Sequence, residues 1–497
     1  MGLAMLLDMA TAGYGSRLAL GSDKAGFTFS DLDRLAEGGA GLLASRKASH
    51  AVLLARNGPV LPTLLFAAAK AGVPLVPLNY RASLDQLLDS IDQFESPLVV
   101  ADDDYLSLLP GTLQTLSTDA FFAECEVADP VRKAETPDDE PAVLLYTSGT
   151  TSRPKAAILR HRNLISYILS TVEFGSAAEE EAALVSVPPY HVAAIGSVLS
   201  NVYAGRRVVY LPDFDPYEWL NLVEAEQITS AMVVPTMVSR ILQALDGRST
   251  RAPSLRLISY GGARMPPVVL RQALAAFPAA DFCNAYGLTE TSSTIALLTP
   301  EDHRQAIDSG DPAIRGRLRS VGRAVPGIEV EIRGPDGVRL PVGERGHLWV
   351  RGQQISGEYS AVGSLVDADG WFDTRDEASV DLAGYIYLEG RTDDLIIRGA
   401  ENIAPAEIED VLAEHPAVAE VAVLGQPDDE WGEKIIAVVV PNPGSTSSAD
   451  ELQEFVRARL RSSRTPDEIV WRDELPHNET GKLLRRVLAA ELIQSKQ

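Results

Sequence analysis

Ala142-Val-Leu-Leu-Tyr-Thr-Ser-Gly-Thr-Thr-Ser-Arg-Pro-Lys155 sets the reading of this chain. It opens as a short apolar run, the pattern of a buried strand. It then breaks into Thr147, Ser148, Gly149, Thr150, Thr151 and Ser152, five hydroxyls and one glycine, and closes with Arg153, Pro154 and Lys155. Such a loop offers backbone N–H groups, hydroxyls and cations, the donors a polyphosphate needs. It is not a Walker A loop, because G-x-x-x-x-G-K-[ST] does not occur. Taken alone, the segment reads equally well as a polar turn between strands.

On its N-terminal side, short apolar runs alternate with helical patterns. Residues 51–55, 73–78 and 97–101 read as strands, and Leu61 to Ala71 as a helix stopped by Gly72. On its C-terminal side the same alternation continues to about residue 300, with strands expected at 183–187, 207–211, 231–234 and 255–259. Strands alternating with helices predict two layered α/β units with largely parallel sheets. After about residue 320 the texture becomes antiparallel. Ile328-Glu-Val-Glu-Ile-Arg alternates and Pro335-Asp-Gly is a turn, as in a small β-barrel. From Arg391 onward, helices and strands predict a compact α+β unit, so the expected division is 1–390 and 391–497.

The net charge of -25, from 44 basic and 69 acidic side chains, argues against nucleic acid or an anionic membrane as partner. An anionic ligand would need cations placed locally. The two cysteines, Cys125 and Cys283, allow no disulfide framework or metal spacing and suit a reducing compartment. The first ten residues lack a basic segment and read as a helix rather than a secretory signal. With no apolar run of about 18 residues, no membrane span is expected, and the expected location is the cytoplasm.

Five further segments carry chemistry. His191, after Pro188-Pro189-Tyr190, sits where a strand gives way to an apolar helix; it can face a pocket or simply start the helix. Gly261-Gly262-Ala263 permits close approach of a flat ligand, or is an ordinary tight turn. In Asn284-Ala285-Tyr286-Gly287-Leu288-Thr289-Glu290, Tyr286 can stack on a base, Thr289 can bond a phosphate and Glu290 can hold Mg2+, which takes one or two carboxylates beside phosphate oxygens. The same segment also reads as a helix start with a capping threonine. Asp376 can accept both hydroxyls of a ribose, as acidic residues do in dinucleotide folds, or belong to a charged turn. Lys482 follows a Thr-Gly turn before the last helix, a location that favours anions, or is a solvated surface lysine.

Taken in order, these segments resemble the adenylate-forming superfamily of acyl- and aryl-CoA synthetases, peptide-synthetase adenylation domains and firefly-type luciferases. The resemblance spans about residues 20 to 490. It rests on Tyr146 to Lys155, Asn284 to Glu290, Asp376, Gly390-Arg391 with Gly399-Ala-Glu-Asn-Ile-Ala-Pro-Ala-Glu407, and Thr480-Gly-Lys482. It implies a large N-terminal domain of two α/β subdomains plus a small β-barrel, and a small mobile C-terminal domain. It also implies a two-step reaction. A carboxylate attacks the α-phosphorus of ATP to give acyl-AMP and pyrophosphate; a thiol then attacks the acyl carbon after the C-terminal domain swings about a hinge matching Asp393.

The implied roles follow position by position. Thr147, Ser148, Gly149, Thr150, Thr151 and Lys155 would hold the β- and γ-phosphates, with Thr147 and Glu290 as metal ligands. Tyr286, with Asn284, Ala285, Gly287 and Gly261-Gly262-Ala263, would line the adenine pocket. Thr289 would touch the α-phosphate, Asp376 and Arg391 would hold the ribose, and Lys482 would bridge the substrate carboxylate and the α-phosphate. His191 would gate the acyl pocket and Gly399 would line the pantetheine tunnel. The implied cofactors are ATP, Mg2+ and coenzyme A. The departures from the family pattern are Ser152 and Ala156 where glycine is usual, Arg375 within a motif that usually reads Thr-Gly-Asp, and His347 where glutamate is usual.

No carrier-protein segment follows Lys482, which favours a free-standing ligase that transfers a fatty, aryl or bulky alicyclic acid to CoA. A carrier protein as acceptor stays open, as does an AMP-binding protein without turnover. The sequence leaves a monomer and a homodimer equally open.

Overall fold

The computed structural model describes the chain except residues 1, 23–24, 132–135, 148–154, 251, 392–393, 399–400, 429–430, 479–482 and 495–497. Two large sheets dominate the first three-quarters. In one, parallel strands His50–Leu54, Leu75–Pro77, Pro97–Ala101 and Gln114–Ser117 lie side by side. Pro141–Thr147 joins them in parallel, and Lys155–Arg160 returns antiparallel beside it. In the other, Arg207–Tyr210, Ala182–Val185, Ser230–Val233, Leu257–Gly261 and Asp281–Leu288 run parallel, and Ser293–Leu298 folds back antiparallel.

The two α/β units expected from the alternation are present, but their strands are exchanged at the edges. The N-terminal hairpin Leu18–Ser22 with Ala25–Thr28 pairs with Arg207–Tyr210 in the second sheet. The hairpin Pro141–Thr147 with Lys155–Arg160 belongs to the first, although the alternation after residue 141 predicts it for the second. A period of two tells which face of a strand is buried and says nothing about its neighbour.

Helices Phe29–Ser45, Val60–Ala71 and Val192–Ala204 share one hydrophobic core with both sheets. Every residue from Val60 to Lys70 is buried, and all but Thr63 and Lys70 are apolar, as suits a helix enclosed between layers. It ends at Gly72, with φ 69°, as the sequence predicts. Its Lys70 side chain is 0% exposed and lies 3.0 Å from Asp8 and 2.7 Å from Asp33. A buried cation without partners costs several kcal/mol; these carboxylates are what allow one here. Cys125 and Cys283 are buried and unpaired.

The region after residue 320 contains a four-stranded antiparallel sheet in the order Glu329–Arg333, Gly346–Arg351, Phe372–Val380, Ile386–Arg391. Burial alternates along Gly346–Arg351 and puts Leu348 and Val350 into a core with Ile332, Phe372 and Ala378. Arg391 is the last residue of this sheet, opposite Asp376. Beyond it, Val418–Asp428, Gly432–Pro441 and Glu468–Trp471 form a three-stranded sheet. Helices Pro405–Ala413 and Ala449–Arg457 contribute to one of its cores and helix Arg485–Gln494 to the other, the α+β unit predicted. No helix among the described residues is long and apolar enough to cross a membrane.

Candidate active site

The strand Asp281–Leu288 starts in the core and leaves it along its length. Phe282 and Cys283 are buried, whereas every residue from Asn284 to Glu290 is half-exposed. Its parallel neighbour sets Tyr260 opposite Asn284 and Gly261 opposite Ala285, so the turn Gly261-Gly262-Ala263 lies beside Ala285 and Tyr286. Both glycines are required by the backbone. A Cβ on Gly261 would sit 2.3 Å from the Ala285 carbonyl oxygen, and Gly262 has φ +79°. This place, just outside the carboxyl ends of parallel strands, is where open α/β sheets bind ligands.

The antiparallel sheet brings Asp376 and Arg391 to the same place. Asp376 is buried, and the Tyr286 hydroxyl donates to its Oδ2. Arg391 Nη1 lies 3.2 Å from Asp376 Oδ1 and 3.2 Å from the Thr374 carbonyl oxygen. Burial, with the negative charge of Asp376 added, drives the Tyr286 hydroxyl far above its usual pKa, so it is a fixed donor. Burial opposes the Arg391 charge, and Asp376 more than offsets it. Tyr286, Asp376 and Arg391 thus come from three strands and meet at one carboxylate.

Arg375, between Thr374 and Asp376, is exposed and has φ 60°. Its N–H donates to Asp373 Oδ1 at 2.8 Å. A left-handed backbone explains why glycine is usual in this motif, since a Cβ there costs about 1–2 kcal/mol. Arg375→Gly should therefore stabilise the protein by about 0.5–1 kcal/mol net of the entropy glycine loses on folding. An increase in denaturant midpoint at unchanged slope is the expected result; a decrease would contradict the backbone account.

Glu290 sits in a single 3-10 turn, Thr289–Thr291, packed on the strand Lys155–Arg160. Thr147 and Lys155 are register partners at the two ends of the hydroxyl-rich loop. Within that loop Ser148, Gly149, Thr150, Thr151 and Ser152 lie outside the described residues, as do Asp393, Gly399 and Lys482. Ala156 is buried and packs in a small core with Val52, Val76 and Leu144. No cluster of three His, Cys, Asp or Glu side chains able to hold a metal occurs among the described residues. A carboxylate beside the strand that leaves a hydroxyl-rich loop fits Mg2+ that would arrive with nucleotide phosphates, because Mg2+ keeps one or two carboxylates and fills its shell with phosphate and water.

Tyr359 was not singled out in the sequence. Its hydroxyl donates to Glu290 Oε1, and its backbone pairs with Ala157. The only local sign is a short polar pair, Glu358-Tyr359, after Gly357.

His191 precedes helix Val192–Ala204 and its ring lies 4.7 Å from that of Tyr190. Its Nε2 is enclosed and has no hydrogen-bond partner among the described residues. Burial lowers its pKa to about 4, so it is uncharged at neutral pH. Gly196 on the same helix packs against Ser293 and Tyr167, which seats this helix against the segment that follows Glu290.

The turn Gly261-Gly262-Ala263 runs directly into Arg264, which pairs with Asp410 on helix Pro405–Ala413. Arg319 reaches the same carboxylate at 3.2 Å. Burial raises the pKa of Asp410, and the two arginines only partly oppose it, so this contact is lost at a higher pH than one made by an ordinary aspartate.

The AMP-binding enzyme family matches residues 7–360, and the AMP-binding enzyme C-terminal domain matches residues 407–482. A feruloyl-CoA synthase from Amycolatopsis is 33% identical over 472 residues, which cover 92% of each chain. ATP-bound MatB from Rhodopseudomonas palustris superposes with a TM-score of 0.88 at 26% identity and covers 100% of both chains. The o-succinylbenzoate CoA synthetase of Bacillus subtilis, solved with its acyl-adenylate intermediate, gives a TM-score of 0.83 at 28% identity over 97% of each chain. The same synthetase solved with ATP and a magnesium ion gives 0.81 at 27% identity, covering 97% of this chain and 98% of that one. With both models matched in order and a relative similar over nearly its whole length, this chain belongs to the AMP-binding enzyme family.

Proposed function

We propose that the chain is an AMP-forming ligase that joins a carboxylic acid to the thiol of coenzyme A. In the first half-reaction the carboxylate oxygen attacks the α-phosphorus of ATP, the bond to the β-phosphate oxygen breaks, and pyrophosphate leaves. In the second, the CoA sulfur attacks the acyl carbon, AMP leaves, and the thiol proton is released. The observation that carries this reading is the meeting of Tyr286, Asp376 and Arg391 beside Gly261-Gly262-Ala263, with Glu290 four residues beyond Tyr286.

In this assignment Asp376 and Arg391 hold the ribose. The Tyr286 ring and the Gly261–Ala263 turn, with Asn284, Ala285 and Gly287, form the adenine pocket. Thr289 contacts the α-phosphate, and Thr147 to Lys155 hold the leaving phosphates. Glu290 and Thr147 are the residues that would hold Mg2+, whose charge offsets that of the phosphates when it is bound. Lys482 neutralises charge that grows on the α-phosphate, Gly399 lines the thiol's path, and His191 faces the acyl group as a neutral ring. The division between the two catalytic parts falls beside Arg391, where Gly390 has φ 142°, a conformation that favours glycine.

The acid is of the fatty, aryl or bulky alicyclic class. Buried, unpaired cysteines suit a reducing compartment, and the cytoplasm is the location proposed. Pyrophosphate release with ATP, Mg2+ and a panel of such acids tests the reading, run with CoA, with a carrier protein and with neither. Release should depend on a fitting acid, and CoA should turn the product into a thioester. Measurable ATP binding with no release for any acid would overturn it, and transfer to the carrier protein alone would replace CoA as acceptor.

A further inference from the structure

We propose that Tyr359 is a positioning residue for Glu290: its hydroxyl commits one carboxylate oxygen and presents the other to the divalent cation of the nucleotide. The proposal rests on the reading of Glu290 as a metal ligand. Residues 356–360 form a strap between two parts of the site. At one end, the N–H groups of Ser356 and Gly357 donate to the Glu290 carbonyl at 2.9 and 3.0 Å, and Tyr359 donates to the Glu290 carboxylate. Along its length, the strap is stitched to the strand that leaves the hydroxyl-rich loop. Ser356 Oγ donates to the Ile158 carbonyl at 2.7 Å, and the Ser360 N–H to the Ala156 carbonyl at 2.9 Å. Arg160 forks onto Glu358 at 2.8 and 2.9 Å.

The strap therefore fixes the Glu290 carboxylate relative to the exit strand of the phosphate loop. A magnesium ion that touches both a carboxylate and nucleotide phosphates needs that separation held, because its octahedral shell tolerates little distortion. A glutamate on a single 3-10 turn has three side-chain torsions of its own. The hydroxyl of Tyr359 restrains them from a different element, as partners one layer out orient metal-binding side chains elsewhere.

Tyr359→Phe keeps the ring and the strand pairing and removes only the hydroxyl. With a non-hydrolysable ATP analogue bound, we expect Mn2+ affinity, read from the free-ion electron paramagnetic resonance signal, to fall about tenfold, the lower end for loss of such a partner. The Mg2+ concentration giving half-maximal pyrophosphate release should rise in parallel, with the rate at saturating Mg2+ within about twofold of the parent. Unchanged Mn2+ affinity, or a rate loss that is the same at every Mg2+ concentration, overturns the proposal. Glu290→Gln separates the two claims. Normal Mn2+ affinity in that variant defeats the metal-ligand reading itself, whereas weak binding there and normal binding in Tyr359→Phe defeats only the role of Tyr359.

Discussion

Lys482→Ala is expected to slow acyl-AMP formation by at least about a hundredfold, the scale for loss of one charge-stabilising donor. Two anions, the substrate carboxylate and the α-phosphate, must approach within bonding distance. At 4 Å and an effective dielectric constant of about 20, their repulsion is about 4 kcal/mol, and a cation placed between them removes most of it. Lys482 lies outside the described residues. Among the described residues around it, His477 pairs with Leu483, and Arg485 opens the last helix. Arg485 in turn bonds Glu409 and the Val423 carbonyl, each at 2.7 Å, which ties the start of that helix to the rest of the C-terminal unit. Thioester formation from supplied acyl-AMP does not bring a carboxylate against the α-phosphate and should survive far better. Pyrophosphate release and consumption of synthetic acyl-AMP, measured separately, check this. Equal loss in both would remove Lys482 from the role.

Asp376→Ala should weaken nucleotide binding by roughly a hundredfold or more. Two ribose hydroxyls bonded to a charged acceptor contribute about 1.5 kcal/mol each, together a factor of about a hundred in affinity. The same change leaves Arg391 and the Tyr286 hydroxyl without their shared acceptor. Breaking a fully buried pair costs about 3–5 kcal/mol. The Arg391 side chain is 35% exposed, so about 2 kcal/mol of stability is the discounted expectation. Calorimetric titration with an ATP analogue and a denaturant midpoint read the two effects independently. Asp376→Asn, which keeps an acceptor and loses the charge, should fall between. Unchanged nucleotide affinity in the alanine variant would show that the ribose lies elsewhere.

The elements of the fold were legible where a single stretch carries its own signal. Leu61 to Ala71 is apolar enough to be an enclosed helix, and Gly72 marks its end with the backbone angle only glycine adopts cheaply. The exchange of hairpins between the two sheets was not legible, because alternation encodes burial and not pairing partners. Within the site, Asn284 to Glu290, Asp376 and Arg391 were recognisable by their order along the chain, and strand register explains how residues so distant converge. Arg375 was visible as a departure from glycine; its left-handed backbone supplies the physical content. Tyr359 was invisible because its bond to Glu290 spans 69 positions, and no local pattern announces a tyrosine that acts across two elements.

Arg264 is covalently next to Ala263 and ion-paired with Asp410. The turn proposed to line the adenine pocket and the helix of the C-terminal unit therefore share one connection. Two events biased through a common element cannot be energetically independent, and their coupling is reciprocal. If nucleotide occupancy shifts how firmly the second unit docks, then docking must shift nucleotide affinity by the same factor. On the proposed reading, ATP entry and AMP release would each then depend on how the second unit docks.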